Sequence, residues 1–459
     1  MMKQQRSLKP LLIYLITFAE GLVSIAVEIL TIRQLLPFAG SSVIVTSLII
    51  GVFLLFLAIG YHLGGQYTGE YLSRLRRNFT ITAILLGLGL SYFFISLFFY
   101  FLQTHLHLST LLVLLLYLLL ITAPITCLLG QTIPITMNMM HFKKSPGHTG
   151  GSLLAVSTLG SFLGATVITL ISLHFVGVAW TIVINFCSLI ALSILLCDRY
   201  LTFLQQLVIC LTSLGLTIVF NPIFEQLSFI KTNNYGNYEV IELKDEQQKL
   251  FVINNSMSSL LNKDNHGFPY AEKIKDILFS QLKLHHEKIL IIGAGGFTLT
   301  AEGDNDNYFT YVDIDPEIKA IAEKNFNKKI VGEFVAADGR AFLRQHPKEF
   351  TVILSDVYSN RKIIPPQMLT QNYFQEIKQS LTENGLSIFN IIANPTLSDP
   401  YSKRIDNTLR SVFSNCMSIP LHYQNDLTNI IYLCNNNNSD QHVYTDNLNQ
   451  ATLDSINKL

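Results

Sequence analysis

The sequence predicts a multi-pass α-helical membrane domain followed by a soluble α/β domain, with a small β-hairpin region between them. Three observations carry this. Long apolar runs fill residues 1–220 and then stop. From about residue 286, short apolar strand-like runs alternate with helical patterns, the layout of a parallel sheet. Charge divides in the same way: residues 1–220 hold ten Lys/Arg and four Asp/Glu, a balance of +6, and the remainder holds 22 and 28, a balance of −6. The zero net charge of the 459 residues thus conceals a basic membrane half and an acidic soluble half. A hydrophobic fraction of 49% against 14% charged fits that division. No basic patch with interleaved aromatics appears, which argues against nucleic acid as a partner.

A bilayer crossing takes about 20 mostly apolar residues in a helix. Seven segments qualify: 11–32, 43–64, 79–102, 108–130, 152–174, 178–197 and 203–220. The first is long, carries Glu20 and Glu28 and lacks a small-x-small cleavage site, so it reads as a retained span. Lys3, Arg6 and Lys9 precede it; Arg74, Arg76 and Arg77 follow the second span, and Lys143 and Lys144 the fourth. By the positive-inside rule the amino terminus is cytoplasmic. Seven crossings would then leave the soluble half outside, away from nucleotide-type cofactors. Giving the cofactor argument precedence, the count is off by one, with 203–220 and the proline-containing 121–137 as the doubtful pieces. The expectation is a multi-pass protein of the cell (inner) membrane, in contact with the lipid bilayer, with its soluble domain cytoplasmic.

Glu20, Ser24 and Glu28 share one stripe of the first helix. They read either as a path for a cation or amine, or as groups paired with Arg33, His62 or backbone. Gly151, Gly160 and Gly164 have the spacing of close helix packing. The six cysteines (Cys127, Cys187, Cys197, Cys210, Cys416, Cys434) form neither CxxC nor a Cys/His metal pattern. They are expected as free thiols, with no disulfide framework and no metal site.

Residues 221–235 form a polar linker in this reading, and 236–285 a small hairpin region built on YEVIEL and KLFVI. Residues 286–436 form the α/β domain, and 437–459 a polar tail. The strand candidates are KILIIGAG, YFTYVDID, IVGEFVAAD, FTVILSDVY, LSIFNII, MSIPLHY and NIIYLC. PEIKAIAEKNF, GRAFLRQH, TQNYFQEIKQSL and YSKRIDNTLRSVF are the helical pieces.

Gly293, Gly295 and Gly296 follow the first of these strands and precede a predicted helix, where glycines let the backbone turn and lie against a ligand. Asp313 ends the next strand, twenty residues after Gly293, and can accept both hydroxyls of a ribose. Asp338, after the third strand, can accept from an adenine amine, or can simply cap the GRAFL helix. Asp356 ends the fourth strand at the sheet edge, where a carboxylate can hold an ammonium group and take a proton from an attacking amine. Together these point to an adenosine-containing ligand.

At these motifs the chain resembles the spermidine synthase (polyamine aminopropyltransferase) family, and in particular its membrane-fused branch. In the first half the resemblance rests on AVEILTIRQLLPFAGSSV, LLGQTIPITMNMM and GGSLLAVSTLGSFLGA. In the second it rests on GAGGFT, YVDIDPE, AADGRAFL, LSDVYS and IPPQMLTQNYF. It implies a methyltransferase-like (Rossmann-like) seven-stranded domain with a hairpin lid. Decarboxylated S-adenosylmethionine would lie along Gly293 and Gly295, with Asp313 on its ribose and Asp338 on its adenine. Asp356 would be the catalytic acid–base residue, with Tyr270, Glu272 and Tyr358 lining the pocket of a small-molecule amine. No metal is implied, and a homodimer is allowed.

The chain also departs from the family pattern. Gly296 stands where the glycine loop usually carries Asp, Ser359 where a second acid follows the catalytic one, and Ser258 where a Gln is usual. His266 and Gly267 replace an acidic pair, with Asp264 nearby. The amine side is therefore poorer in carboxylates than the adenosyl side. Aminopropyl transfer leads. Methyl transfer from S-adenosylmethionine to a membrane-associated acceptor is the alternative, and a non-catalytic polyamine sensor or transporter is a further one.

Overall fold

The computed structural model describes residues 9–40, 42–140, 145–197, 200–243, 247–303, 306–358, 364–424 and 426–436. The expectations for Lys3, Arg6, Lys143, Lys144, Ser359 and the 437–459 tail lie outside these. Two units emerge: 1–263 with 324–326 and 358–365, and 264–323 with 327–357 and 366–459.

Among the described residues, six helices of the first unit are long and apolar enough to cross a membrane: Pro10–Ala39, Val43–Gly65, Thr110–Met139, Pro146–Phe175, Gly177–Leu195 and Leu201–Ser228. A seventh crossing exists only if Tyr71–Gly89 and Tyr92–Thr104, bent by 68°, count as one. The irregular segment is therefore the expected 79–102 span, whereas 203–220 and 121–137 both lie within long apolar helices. The bend has a local cause. Ser91 caps the second piece by accepting from Phe94 N. The carbonyls freed at the break are taken by side chains: Asn221 donates to Gly87 O at 2.7 Å, Tyr117 to Gly89 O at 2.8 Å and Gln34 to Leu90 O at 3.0 Å. In an apolar medium a broken helix persists only with such replacements. The last helix runs on through Pro222 to Ser228, past the expected linker start, by widening to π-helical turns over Val219–Ile223.

The first helix packs on Pro146–Phe175 at close range, as the glycine spacing predicts. A Cβ on Gly160 would come within 2.1 Å of Phe18 O, so no larger residue fits there. Arg33, expected as one partner for Glu28, instead leaves the bundle. Its Nε and Nη2 donate to Asn233 O at 3.1 and 2.6 Å, and Nη2 also to Asn237 Oδ1 at 2.9 Å. It thereby anchors an antiparallel sheet of β1 (Lys231–Thr232), β2 (Asn237–Leu243), β3 (Gln248–Ile253) and β4 (Ser256–Asn262) in the order β1-β2-β3-β4. The expected hairpin is β2–β3. The polar SMSSLLN of β4 lacks an apolar run, which hid it in the sequence.

The second unit holds β5 (Lys288–Ile292), β6 (Tyr308–Asp313), β7 (Glu333–Ala336), β8 (Phe350–Ser355), β9 (Leu381–Ala393), β10 (Asn415–Pro420) and β11 (Thr428–Asn435). All seven strand candidates are present. The sheet order is β10-β11-β9-β8-β5-β6-β7, with β11 antiparallel between β9 and β10 and the rest parallel. The four expected helices appear at Ile318–Asn325, Gly339–Gln345, Gln371–Ser380 and Pro400–Arg410.

Two expectations fail here. The glycine loop is followed by a single 3-10 turn, Thr298–Thr300, and not by a helix. Phe297 adopts φ 59° and is fully buried against Tyr311 and Phe334, and Gly303 interrupts the segment shortly after. Cys416 and Cys434 are not free thiols: the antiparallel register of β10 and β11 sets them opposite one another, joined as a disulfide.

Candidate functional site

Strand order reverses between β5 and β8, and in open α/β sheets ligands bind beyond the carboxyl ends of the strands at such a point. Gly293 leaves β5 with φ 91°, and its amide donates to Val312 O at 2.9 Å. A Cβ there would fall 2.3 Å from Asp356 O, so the loop crosses the head of β8 in direct backbone contact. Asp356 N returns the contact, donating to Ile292 O at 3.0 Å. Gly295 follows with φ 50°, and Gly296 completes the turn.

Asp313 ends β6 and braces this loop. Its Oδ2 accepts from Ala294 N at 3.0 Å and its Oδ1 from Asp315 N at 3.0 Å. Burial pushes its carboxyl above the usual aspartate range, against backbone donors on Asp315, Ala294 and Ile314. The lone pairs these leave suit hydroxyl donors such as those of a ribose. Asp338 is exposed and caps Gly339–Gln345 by accepting from Ala341 N at 2.8 Å. Capping occupies Oδ1, so any adenine contact falls to its remaining lone pairs.

Asp356 is half-buried and hydrogen-bonded through both oxygens. Tyr270 donates its hydroxyl to Oδ2 at 3.0 Å, and Asn390 of β9 donates its amide to Oδ1 at 2.8 Å. Asn429 of β11 in turn donates to Asn390 Oδ1 at 2.8 Å, which fixes the Asn390 amide with its NH₂ toward the carboxylate. Burial raises the Asp356 carboxyl above the ordinary range, while both donors favour its charged form. A raised, half-buried carboxylate held in one orientation is suited to accept a proton. Asn390 and Asn429 escaped the sequence reading. The available signal was a lone amide in the apolar run of LSIFNII.

Glu272 is placed differently from the expectation. Its Oε1 accepts from Gly267 N at 2.6 Å and from Lys275 Nζ at 2.9 Å, and His266 Nδ1 lies 3.0 Å from Oε2. Against the penalty of burial, these partners hold its carboxyl below the usual glutamate range. Lys275 also bonds Glu302 at 2.9 Å. His266, Glu272 and Glu302 could hold a metal ion by spacing, but the Lys275 ammonium bridges the two carboxylates. We read the group as an ion-pair network that holds the helix carrying Tyr270. Tyr358 is half-buried and groups with the first unit, so the site above is built without it.

An expected result follows for the amide relay. Asn390→Ala removes a donor to the charged form, so the Asp356 pKa rises further. Any activity needing the carboxylate should then show its acidic limb at higher pH than wild type, which a pH–kcat/KM profile would read. An unmoved limb would mean that Asn390 does not act on Asp356.

The family model for the spermine/spermidine synthase domain matches residues 267–440. Polyamine aminopropyltransferase of Vibrio vulnificus (strain CMCP6) is 30% identical over 159 residues, covering 32% of this chain and 49% of that protein. The polyamine aminopropyltransferase of Sulfurisphaera tokodaii is 28% identical over 176 residues, covering 36% and 56%. The chain thus spans about half the length of these curated relatives. Among solved structures, a probable spermidine synthase from Corynebacterium glutamicum aligns with a TM-score of 0.39 at 20% identity, over 48% of this chain and 82% of that one. The Thermotoga maritima spermidine synthase aligns with a TM-score of 0.37 at 17% identity, over 50% and 85%. Residues 267–440 of the chain thus match the spermine/spermidine synthase domain and resemble the corresponding part of these aminopropyltransferases.

Proposed function

We propose that the second unit transfers an aminopropyl group from decarboxylated S-adenosylmethionine to a small amine, releasing methylthioadenosine. The observation that carries this reading is Asp356, hydrogen-bonded through both oxygens at the switch point and in backbone contact with the Gly293 turn. The relatives named polyamine aminopropyltransferase support the same class of reaction.

The loop at Gly293–Gly295 and Asp313 bind and orient the adenosyl sulfonium. The nitrogen lone pair of a neutral amine attacks the methylene next to the sulfonium. As the C–N bond forms, the C–S bond breaks, its electron pair goes to sulfur and a neutral thioether leaves. Asp356 accepts the proton from the resulting ammonium. Tyr270 and Asn390 keep its oxygens aimed while it does so.

Calorimetry of the full chain tests the co-substrate without needing an acceptor. We expect methylthioadenosine to bind more tightly than S-adenosylhomocysteine. The reverse order would favour methyl transfer to a membrane-associated acceptor.

We further propose that six helices cross the inner membrane and keep the second unit on the cytoplasmic side. The Cys416–Cys434 bond weighs against that side, because disulfides persist in oxidising compartments and are rare in the cytosol. Protease added to spheroplasts decides: a second unit left intact supports the cytoplasmic side, and one that is digested contradicts it.

A further inference from the structure

The helical unit contains a buried polar track that the transfer reaction does not use. Glu20, 2% exposed, lies on the helix Pro10–Ala39, and its Oε2 accepts from Ser157 Oγ at 3.0 Å. One turn earlier, buried Thr17 places its Oγ1 3.5 Å from Thr136 Oγ1. Thr136 is one turn beyond Thr132, which follows Gln131 at a break in the helix Thr110–Met139. Gln131 Oε1 accepts from Asn78 Nδ2 at 2.8 Å. The series Ser157, Glu20, Thr17, Thr136, Thr132, Gln131 and Asn78 is buried throughout and links four helices.

Two of its atoms, Asn78 Oδ1 and Thr132 Oγ1, are buried without a hydrogen-bond partner. Leaving such an atom unmatched costs roughly 1–3 kcal/mol in an apolar interior, and native proteins keep few of them. No cationic side chain among the described residues pairs with Glu20. Arg33 is engaged with Asn233 and Asn237, and His62 with Gln66. The track therefore offers one acid and neutral oxygens, a donor set that matches a small cation.

We propose that this track binds a small cation, either a monovalent metal ion or a primary ammonium, with Glu20 as its counter-charge and with Asn78 and Thr132 lining its way. This rests on reading the helices as membrane spans and is independent of the transferase reading.

The test heats the full-length protein in detergent with sodium, potassium or putrescine, against choline at the same ionic strength. One of the three should raise the melting temperature, and which one does so separates a metal ion from an ammonium. Glu20→Gln should raise the half-saturating concentration roughly tenfold or more. Thr132→Val, which keeps the shape and removes the hydroxyl, should weaken the response without lowering the melting temperature in choline. It decides the matter alone if Glu20→Gln does not fold. Asp356→Asn, which removes amine binding in the second unit, should still show a shift that Glu20→Gln weakens, which separates the two sites. The proposal is overturned if no cation shifts the wild-type transition, if both track variants respond as wild type, or if Asp356→Asn abolishes the response.

Discussion

Replacing Asp356 by Asn should lower the rate of aminopropyl transfer by about a thousandfold, the scale of a lost general base. Methylthioadenosine binding should stay near normal. The asymmetry follows from what the side chain touches. Its two oxygens meet Tyr270 and Asn390, and the stretch that shapes the adenosyl side is its main chain against Gly293. The Asn side chain keeps the size and loses the acceptor for the proton. Single-turnover rates and calorimetry on the same preparation would separate the two effects. Wild-type turnover in Asp356→Asn would remove the base assignment.

The pH dependence has a definite sign. Because burial raises the Asp356 pKa, the active carboxylate form is lost on acidification at a higher pH than for an exposed aspartate, ordinarily near 4. Stability runs the other way. A carboxyl whose folded pKa is raised contributes stability that is full below the unfolded value and lost as pH rises through the folded one. A bound ammonium would offset that loss, so amine binding should release a proton and tighten as pH rises through the Asp356 pKa.

The second large effect is expected at Asp313. Asp313→Ala removes the acceptor proposed for the ribose hydroxyls and also the brace on Ala294 N. A charged acceptor is worth about 1.5–3 kcal/mol per hydrogen bond, so methylthioadenosine affinity should fall roughly a hundredfold. Asp313→Asn separates the two roles, since its carbonyl oxygen can still accept from Ala294 N. Calorimetry on both variants reads the outcome, and unchanged affinity in Asp313→Ala would place the adenosyl ligand elsewhere.

The sheet was readable because each strand is an apolar run bounded by turn formers, and the places of Gly293, Asp313 and Asp356 at its edge because each ends such a run. What escaped depends on contacts distant in sequence. Asn429 reaches Asn390 only because β11 inserts antiparallel beside β9, and Cys416 meets Cys434 only through the register of β10 with β11. The single turn after the glycine loop is a tertiary effect of burying Phe297. Glu272 is the reverse case: its partner Lys275 stands three residues on, a helical pair visible in the sequence.

Aminopropyl transfer with Asp356 as the base is the central claim, and product identity tests it most directly. The purified full chain is incubated with decarboxylated S-adenosylmethionine or S-adenosylmethionine and a panel of amines and lipids, and the products are identified by mass. The account predicts methylthioadenosine together with an amine heavier by one aminopropyl group, from the decarboxylated donor alone and lost in Asp356→Asn. S-adenosylhomocysteine with a methylated acceptor, or ligand binding with no product from either donor, would contradict it.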